Sequence, residues 1–302
     1  MHYLLKFLFF FLFAASTQCI ALESASTGWT DGFVDSDGVK IHYLEKKRSA
    51  EMGQTTSPTL LFIPGLSMPG WVFEKQLQYF SQNYSVVAMD PRSQGDSTQT
   101  SEGHYAAARA KDIKAVVDQL ELQPVVLIGW SLAVSEIVAY LDQFGSDGIS
   151  GVVLTEGLAG MEPGSEVQNL MIKYWSDFQK NRPKNTPNFV NWLFKQPQNE
   201  EFLERLASAS LRTPTNTLMT LAYNCILQDF RSALPKINVP TLIITITSAR
   251  PSWIEGVGEM HRLIPNSRLE IIENAGHAVF VDQPEQFNCI LEEFLSTSLF
   301  LN

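Results

Sequence analysis

Cysteine is scarce in this chain. The three present, Cys19, Cys225 and Cys289, stand far apart, none in a C-x-x-C pair and none beside a histidine. That pattern removes a thiolate metal site and a dithiol redox centre from consideration. Basic residues are also few: 22 Lys and Arg against 32 Asp and Glu give a formal charge of −10, with no basic cluster. A nucleic-acid surface is thereby excluded, because neutralising phosphates needs a Lys/Arg patch. Internal repeats, low-complexity tracts and metal-ligand constellations of His, Asp and Glu are missing too. Neither a solenoid nor a metal centre is expected, and no cofactor is called for.

Apolar residues are concentrated at the N-terminus. The segment MHYLLKFLFFFLFAASTQCIALES has one Lys, an apolar run from Phe7 to Ala15, then small and polar residues up to Ala21. This is the layout of a secretory signal, with a run too short to span a bilayer comfortably. Cleavage after Ala21 puts Cys19 and Ala21 at the two positions the peptidase reads, leaving a secreted or periplasmic protein that starts at residue 22 and has no stable membrane span. Two rivals are a lipoprotein signal lipidated at Cys19, with Gln18 standing where a small residue is wanted, and an uncleaved membrane anchor. After cleavage only Cys225 and Cys289 remain. An oxidising compartment permits them to pair, although two distant cysteines are more often buried small hydrophobes.

What the chain has in quantity is material for a core, at 45% hydrophobic residues over 302 positions. Short apolar runs (KIHYLEK, TLLFIPG, SVVAMD, PVVLIGW, GVVLTEG, PTLIITIT, RLEIIE) alternate with helix-like stretches. Several of the runs are apolar throughout, as strands covered on both faces must be, which predicts a mostly parallel sheet in an α/β fold. Ile113, Val116, Val117 and Leu120 keep helical spacing, as do Ile290, Leu291 and Phe294. From about Leu158 to Asp229 strand signals vanish. Met171, Tyr174, Trp175, Phe178, Phe189, Trp192, Phe194 and Phe202 recur there at helix-like intervals, with prolines 183, 187, 197 and 214 cutting the stretch into short helices. Residues 158–229 thus form a helical cap inserted into a core made of 22–157 and 230–302.

The strongest motif lies where PVVLIGW meets the next helix, at Gly129-Trp130-Ser131-Leu132-Ala133. A Ser in a tight strand-to-helix turn needs small neighbours two before and two after it, and Gly129 and Ala133 fill those places. The pattern resembles the nucleophile elbow of the α/β-hydrolase superfamily, with Ala for the final Gly. A Ser hydroxyl needs a base, and of the five His residues His277 stands apart. It follows the last strand in Glu273-Asn274-Ala275-Gly276-His277-Ala278, in the order the resemblance implies. The likeness extends over nearly the whole mature chain. GFVDSDGVKIHYLEK resembles the family's opening hairpin, FIPGLSMPGWVF its oxyanion loop with Pro64 for the commoner His, and AMDPRSQGDS its D-x-R-G-x-G-x-S turn with Ser93 for one Gly. WSLAVSEIVAYLDQFG is most similar to the arylesterase and non-haem chloroperoxidase branch, also called serine perhydrolases. The implied fold is a mostly parallel eight-stranded sheet flanked by helices, with the cap inserted after the sixth strand.

The resemblance also implies an oxyanion hole formed by the backbone NH groups of Leu66 and Leu132, such donors being worth about 3 kcal/mol each. The acid is less plain. Relatives most often place an Asp after the strand PTLIITIT, but here the chain reads Thr247-Ser248-Ala249-Arg250-Pro251-Ser252-Trp253, with no carboxylate before Glu255. A minority place the acid at the end of the strand after the nucleophile helix, where this chain has Glu156 in VVLTEG. Glu156 is therefore the expected partner of His277, with Glu255 from a shifted loop or a site lacking an acid altogether as the alternatives, and a strand simply ending at water as the plain reading of VVLTEG.

A Ser nucleophile excludes the alkyl-enzyme chemistry that dehalogenases and epoxide hydrolases of this fold perform with an Asp. Acyl transfer remains, with water or peroxide releasing the acyl group. The expected function is a serine hydrolase for a small or medium uncharged ester or lactone with an apolar acyl or aryl group. Three other readings stay open: a thioesterase, a C–C hydrolase, or a ligand receptor that keeps the pocket. No Arg is clearly placed to clamp an anion, Arg250 being the one to watch. Oligomeric state cannot be read from the sequence.

Overall fold

In the computed structural model, residues 29–48 and 57–298 are described. The expected signal peptide, its cleavage site and Cys19 lie outside them. The chain opens with an antiparallel hairpin, β1 (Thr30–Ser36) and β2 (Val39–Lys46), joined by the two-residue turn Asp37-Gly38. Then follow β3 (Thr59–Ile63), α1 (Glu74–Phe80), β4 (Val86–Met89), α2 (Ala106–Gln119), β5 (Val125–Trp130), α3 (Leu132–Phe144) and β6 (Ile149–Thr155). Four helices come next: α4 (Glu166–Phe178), α5 (Arg182–Trp192), α6 (Glu200–Arg212) and α7 (Thr215–Leu227). The sheet resumes with β7 (Thr241–Ile246), α8 (Pro251–Leu263) and β8 (Ser267–Ile272), and the chain finishes through α9 (Val279–Asp282) and α10 (Pro284–Ser298).

The eight strands form one sheet in the order β1-β2-β4-β3-β5-β6-β7-β8. Only the β1–β2 and β2–β4 pairings are antiparallel. Strands β4, β5 and β7 are buried along their whole length, the reason their sequences are apolar almost throughout rather than at alternate positions, Thr241 and Thr245 of β7 being the polar exceptions. Their side chains divide by parity between two cores. Leu60 and Phe62 join one with α1, α10 and cap residues, and Leu61 and Ile63 join the other with α2, α3 and α8. A parallel sheet gathers the carboxyl ends of β3, β5, β6 and β8 along one edge, and Leu66, Ser131, Glu156 and His277 follow them there.

Between β6 and β7 the chain is helical, as its periodicity predicts, but one proline behaves differently from expectation. Pro183 stands in the first turn of α5, where an amide proton has no helical partner, and Pro214 caps α7; Pro187, however, lies inside α5 instead of ending a helix. Trp175 and Phe178 of α4 pack edge-to-face on Phe189 of α5, with ring centroids 5.6 and 5.7 Å away, and hold these helices together. Cys225 and Cys289, on α7 and α10, are free thiols. Among the described residues no helix is long and apolar enough to cross a membrane.

His42 on β2 is a polar staple below the sheet edge. Its Nδ1 lies 2.8 Å from Asp90 Oδ2 and its Nε2 2.9 Å from Asp31 Oδ1. Burial disfavours the imidazolium, yet the hydrogen bonds and charges of Asp90 and Asp31 outweigh it and raise the pKa from 6.5 to about 9. Because the folded value is the higher one, this stabilisation is complete below the unfolded pKa and is lost as pH rises through about 9. Urea titrations across that interval should show unfolding free energy falling by about 3 kcal/mol, and His42→Gln should flatten the fall. An equal slope in the variant would assign it to other groups.

Candidate active site

Ser131 is the junction between β5 and α3. Its backbone sits at φ 59° and ψ −115°, a conformation that an L-residue adopts only under constraint. The constraint comes from both sides of the turn: Ser131 N donates to Thr155 O on β6 (2.8 Å) and Val134 N donates to Ser131 O (3.0 Å). Small neighbours are required because the helix folds back onto the strand. A Cβ on Gly129 would lie 2.6 Å from Ile137 Cδ1 and 3.1 Å from Ala133 O, and Ala133 itself is fully buried.

His277 reaches this turn from the loop after β8. Its Nε2 lies 2.9 Å from Ser131 Oγ, and its Nδ1 lies 3.2 Å from Glu156 Oε2. A carboxylate only accepts, so the imidazole proton belongs on Nδ1 and leaves Nε2 free to accept from the Ser hydroxyl. Three indoles surround the imidazole. Trp130, Trp192 and Trp253 have ring centroids 5.5, 5.3 and 6.3 Å from it, and Trp130 Nε1 donates to His277 O at 2.8 Å.

Glu156 extends the β6–β7 ladder by one residue, its N–H donating to Ile244 O at 2.9 Å, and then turns to φ 49°. That left-handed turn costs about 1–2 kcal/mol in a residue other than Gly. Thr245 Oγ1 donates to Glu156 Oε1 at 2.7 Å, so both carboxylate oxygens are engaged while the residue stays 3% exposed. VVLTEG is thus not a strand fading into solvent. Glu255, the alternative acid, lies in α8 and is exposed, away from the cavity lining.

Leu66 and Leu132 flank Ser131 in the cavity wall. Leu132 is the first residue of α3, where amide protons lack helical acceptors. Among the described residues neither backbone NH donates to a protein group. The loop carrying Leu66 is held from below by residues that the sequence reading passed over. Gln94 Nε2 donates to Gly65 O (3.0 Å) and Met68 O (2.9 Å), and both terminal nitrogens of Arg109 donate to Gln94 Oε1. Arg109 in turn sits 2.7 Å from Glu136 on α3. Burial raises the Glu136 pKa and lowers that of Arg109, each opposed by the other's charge. The signal available was a charged residue on the apolar face of each of two amphipathic helices.

The cavity over Ser131 has a volume of about 830 Å³, ample for a small ligand. Cap and core both wall it. Of the eight cap residues singled out in sequence, Met171, Tyr174, Trp175, Phe189, Trp192 and Phe194 face it, whereas Phe178 and Phe202 do not. One buried carboxylate ties the two parts together. Asp282 Oδ2 accepts from Gly276 N and Lys195 N, both at 2.7 Å, and its Oδ1 accepts from Gln196 N and Gln198 Nε2 at 3.3 and 3.0 Å. The cap segment after α5 is so close to the His277 loop that a Cβ on Gly276 would lie 2.7 Å from Leu193 O.

One group of potential metal ligands, His42, Asp90 and Asp96, is found among the described residues. Both His42 nitrogens are already engaged, and Asp90 also accepts from the backbone of Gly70 and Asp96. The group serves as a hydrogen-bonded staple.

Comparison with known proteins gives a consistent result. A family model described as alpha/beta hydrolase fold matches residues 58–284. A putative non-heme chloroperoxidase from Synechocystis sp. is 28% identical over 249 residues, covering 78% of this chain and 90% of that protein. Among solved structures, an esterase from Exiguobacterium antarcticum superposes with a TM-score of 0.80 at 24% identity, covering 89% of this chain and all of the other. A putative aryl esterase from Burkholderia cenocepacia does so with a TM-score of 0.76 at 24% identity, covering 89% and 99%.

Proposed function

Since the chain belongs to the alpha/beta hydrolase fold family, we propose that it is a serine hydrolase that cleaves carboxylic esters or lactones through an acyl-enzyme. The observation that carries this reading is the linear relay from Ser131 Oγ through His277 to Glu156, at 2.9 and 3.2 Å. As Ser131 attacks the carbonyl carbon, its proton passes to His277 Nε2 and Glu156 stabilises the imidazolium. The carbonyl oxygen becomes an oxyanion that the Leu66 and Leu132 NH groups receive. Collapse breaks the bond to the alcohol oxygen, which leaves with the proton from Nε2. Water then repeats the sequence on the acyl-enzyme and regenerates the Ser hydroxyl.

The apolar wall supports a substrate whose enclosed portion is an uncharged acyl or aryl group. Each methylene buried there contributes about 0.8 kcal/mol, close to fourfold in binding. With p-nitrophenyl esters of increasing chain length, kcat/KM should rise by up to about fourfold per methylene until the chain outgrows the cavity. A fluorophosphonate probe should label Ser131. An unlabelled protein that turns over none of the esters would instead be a receptor with a hydrolase-like pocket.

A further inference from the structure

Two cations at the cavity have no partner. Lys195 and Arg250 both line it, and among the described residues neither side chain meets a carboxylate or a hydrogen-bond acceptor. Four other cations of the cap, Lys173, Lys180, Arg205 and Arg212, each face an Asp or Glu, and Arg182 donates to backbone carbonyls; Lys184 is also without an acid among the described residues but does not line the cavity. The only acid in the lining is Glu156, whose oxygens are held by Thr245 and His277. In a chain with a formal charge of −10, the lining of the cavity over Ser131 thus carries two cations and one carboxylate.

Both cations stand on the His277 side. Lys195 N and Gly276 N share Asp282 Oδ2. Arg250 precedes α8, whose Trp253 ring lies 6.3 Å from the imidazole, and Ser248 Oγ donates to Ala275 O in the His277 loop at 2.9 Å. The side matters because His277 must hand its proton to the leaving oxygen. Whatever is attached to that oxygen lies toward His277, whereas the carbonyl oxygen lies toward Leu66 and Leu132.

We propose that the preferred substrate is an ester whose alcohol half bears an anionic group, such as a carboxylate, held by Lys195 and Arg250, while its acyl half is the uncharged apolar portion. This rests on the serine-hydrolase reading and specifies its substrate. The cations are exposed, so the attraction is partly screened and is expected to amount to about tenfold in kcat/KM.

Three esters test it: para-carboxyphenyl hexanoate, with the anion in the leaving half; para-carbamoylphenyl hexanoate, neutral; and the para-carbamoylphenyl half-ester of adipic acid, with the anion in the acyl half. At low salt the carboxyphenyl ester should exceed the neutral one by about tenfold in kcat/KM and should also exceed the half-ester. The ratio should shrink toward one at about 0.5 M salt, where screening acts over a few ångströms. In the double variant Lys195→Glu, Arg250→Glu it should fall below one, and because it is taken within one protein, a general loss of activity cancels. A wild-type ratio of one or less, a ratio indifferent to salt and to charge reversal, or preference for the half-ester overturns the proposal while leaving the hydrolase reading in place. No turnover of any of the three overturns both.

Discussion

Ser131→Ala is expected to lower ester turnover by about a millionfold, the loss seen when a serine hydrolase surrenders its nucleophile, and to abolish fluorophosphonate labelling. The substitution removes one oxygen from a turn that already demands small residues. The strained backbone at φ 59° is held by Thr155 O and by the first turn of α3, and an Ala suffers the same strain as a Ser. The thermal midpoint should therefore move by no more than a few degrees, which separates lost chemistry from lost fold. Turnover should be measured on protein purified away from host esterases. Activity within a few-fold of the parent would dismiss Ser131 as nucleophile.

The second large effect concerns the acid. Glu156→Gln keeps volume and shape but removes the charge that steadies the imidazolium. Thr245 continues to face one side-chain atom of the new amide, and the other must confront His277 Nδ1. If nitrogen takes that place, two donors oppose one another and the tautomer that leaves Nε2 accepting is lost. If oxygen takes it, the tautomer survives without the charge. The comparable loss in serine proteases is about four powers of ten, and a drop of at least about a hundredfold is expected here. Glu255→Gln should change kcat/KM by less than about threefold, since surface substitutions away from the site leave rates alone. The reverse ranking would transfer the acid's role to α8.

The two predictions differ in how directly their residues could be read from the chain. Ser131 was legible because the elbow is a local device, in which strand, small residues and amphipathic helix are consecutive. His277 was legible from its loop and its place after the last strand. Glu156 needed an argument from vacancy, the Thr247–Trp253 loop lacking an acid where relatives carry one. What escaped is long-range. Nothing adjacent in sequence joins Gln94 to Gly65 and Met68, or Arg109 to Glu136 across two helices, yet together they support the loop that carries Leu66. The cap aromatics were visible as apolar residues, but whether each turned to the cap interior, as Phe178 does, or to the cavity, as Phe194 does, depends on how α4 to α7 stack. Pro187 departs from its local expectation for a related reason. Local geometry makes proline a helix breaker, whereas packing around Phe189 and Val190 keeps α5 intact through it.

The knot at Asp282 bears on how such a protein can be recombined. Helical insertions between two strands look like exchangeable modules, and the sequence boundaries at 158 and 229 invite a transplant. Four donors from two distant segments converge on one carboxylate, however, and Gly276 leaves no space between the His277 loop and the backbone of 193–195. A foreign cap grafted at those boundaries would bring its own backbone to a socket shaped for this one and would displace His277 along with the inserted helices. The heritable unit is therefore two pieces of chain, the insertion and residues 275–282, and a chimera that moves one should move the other.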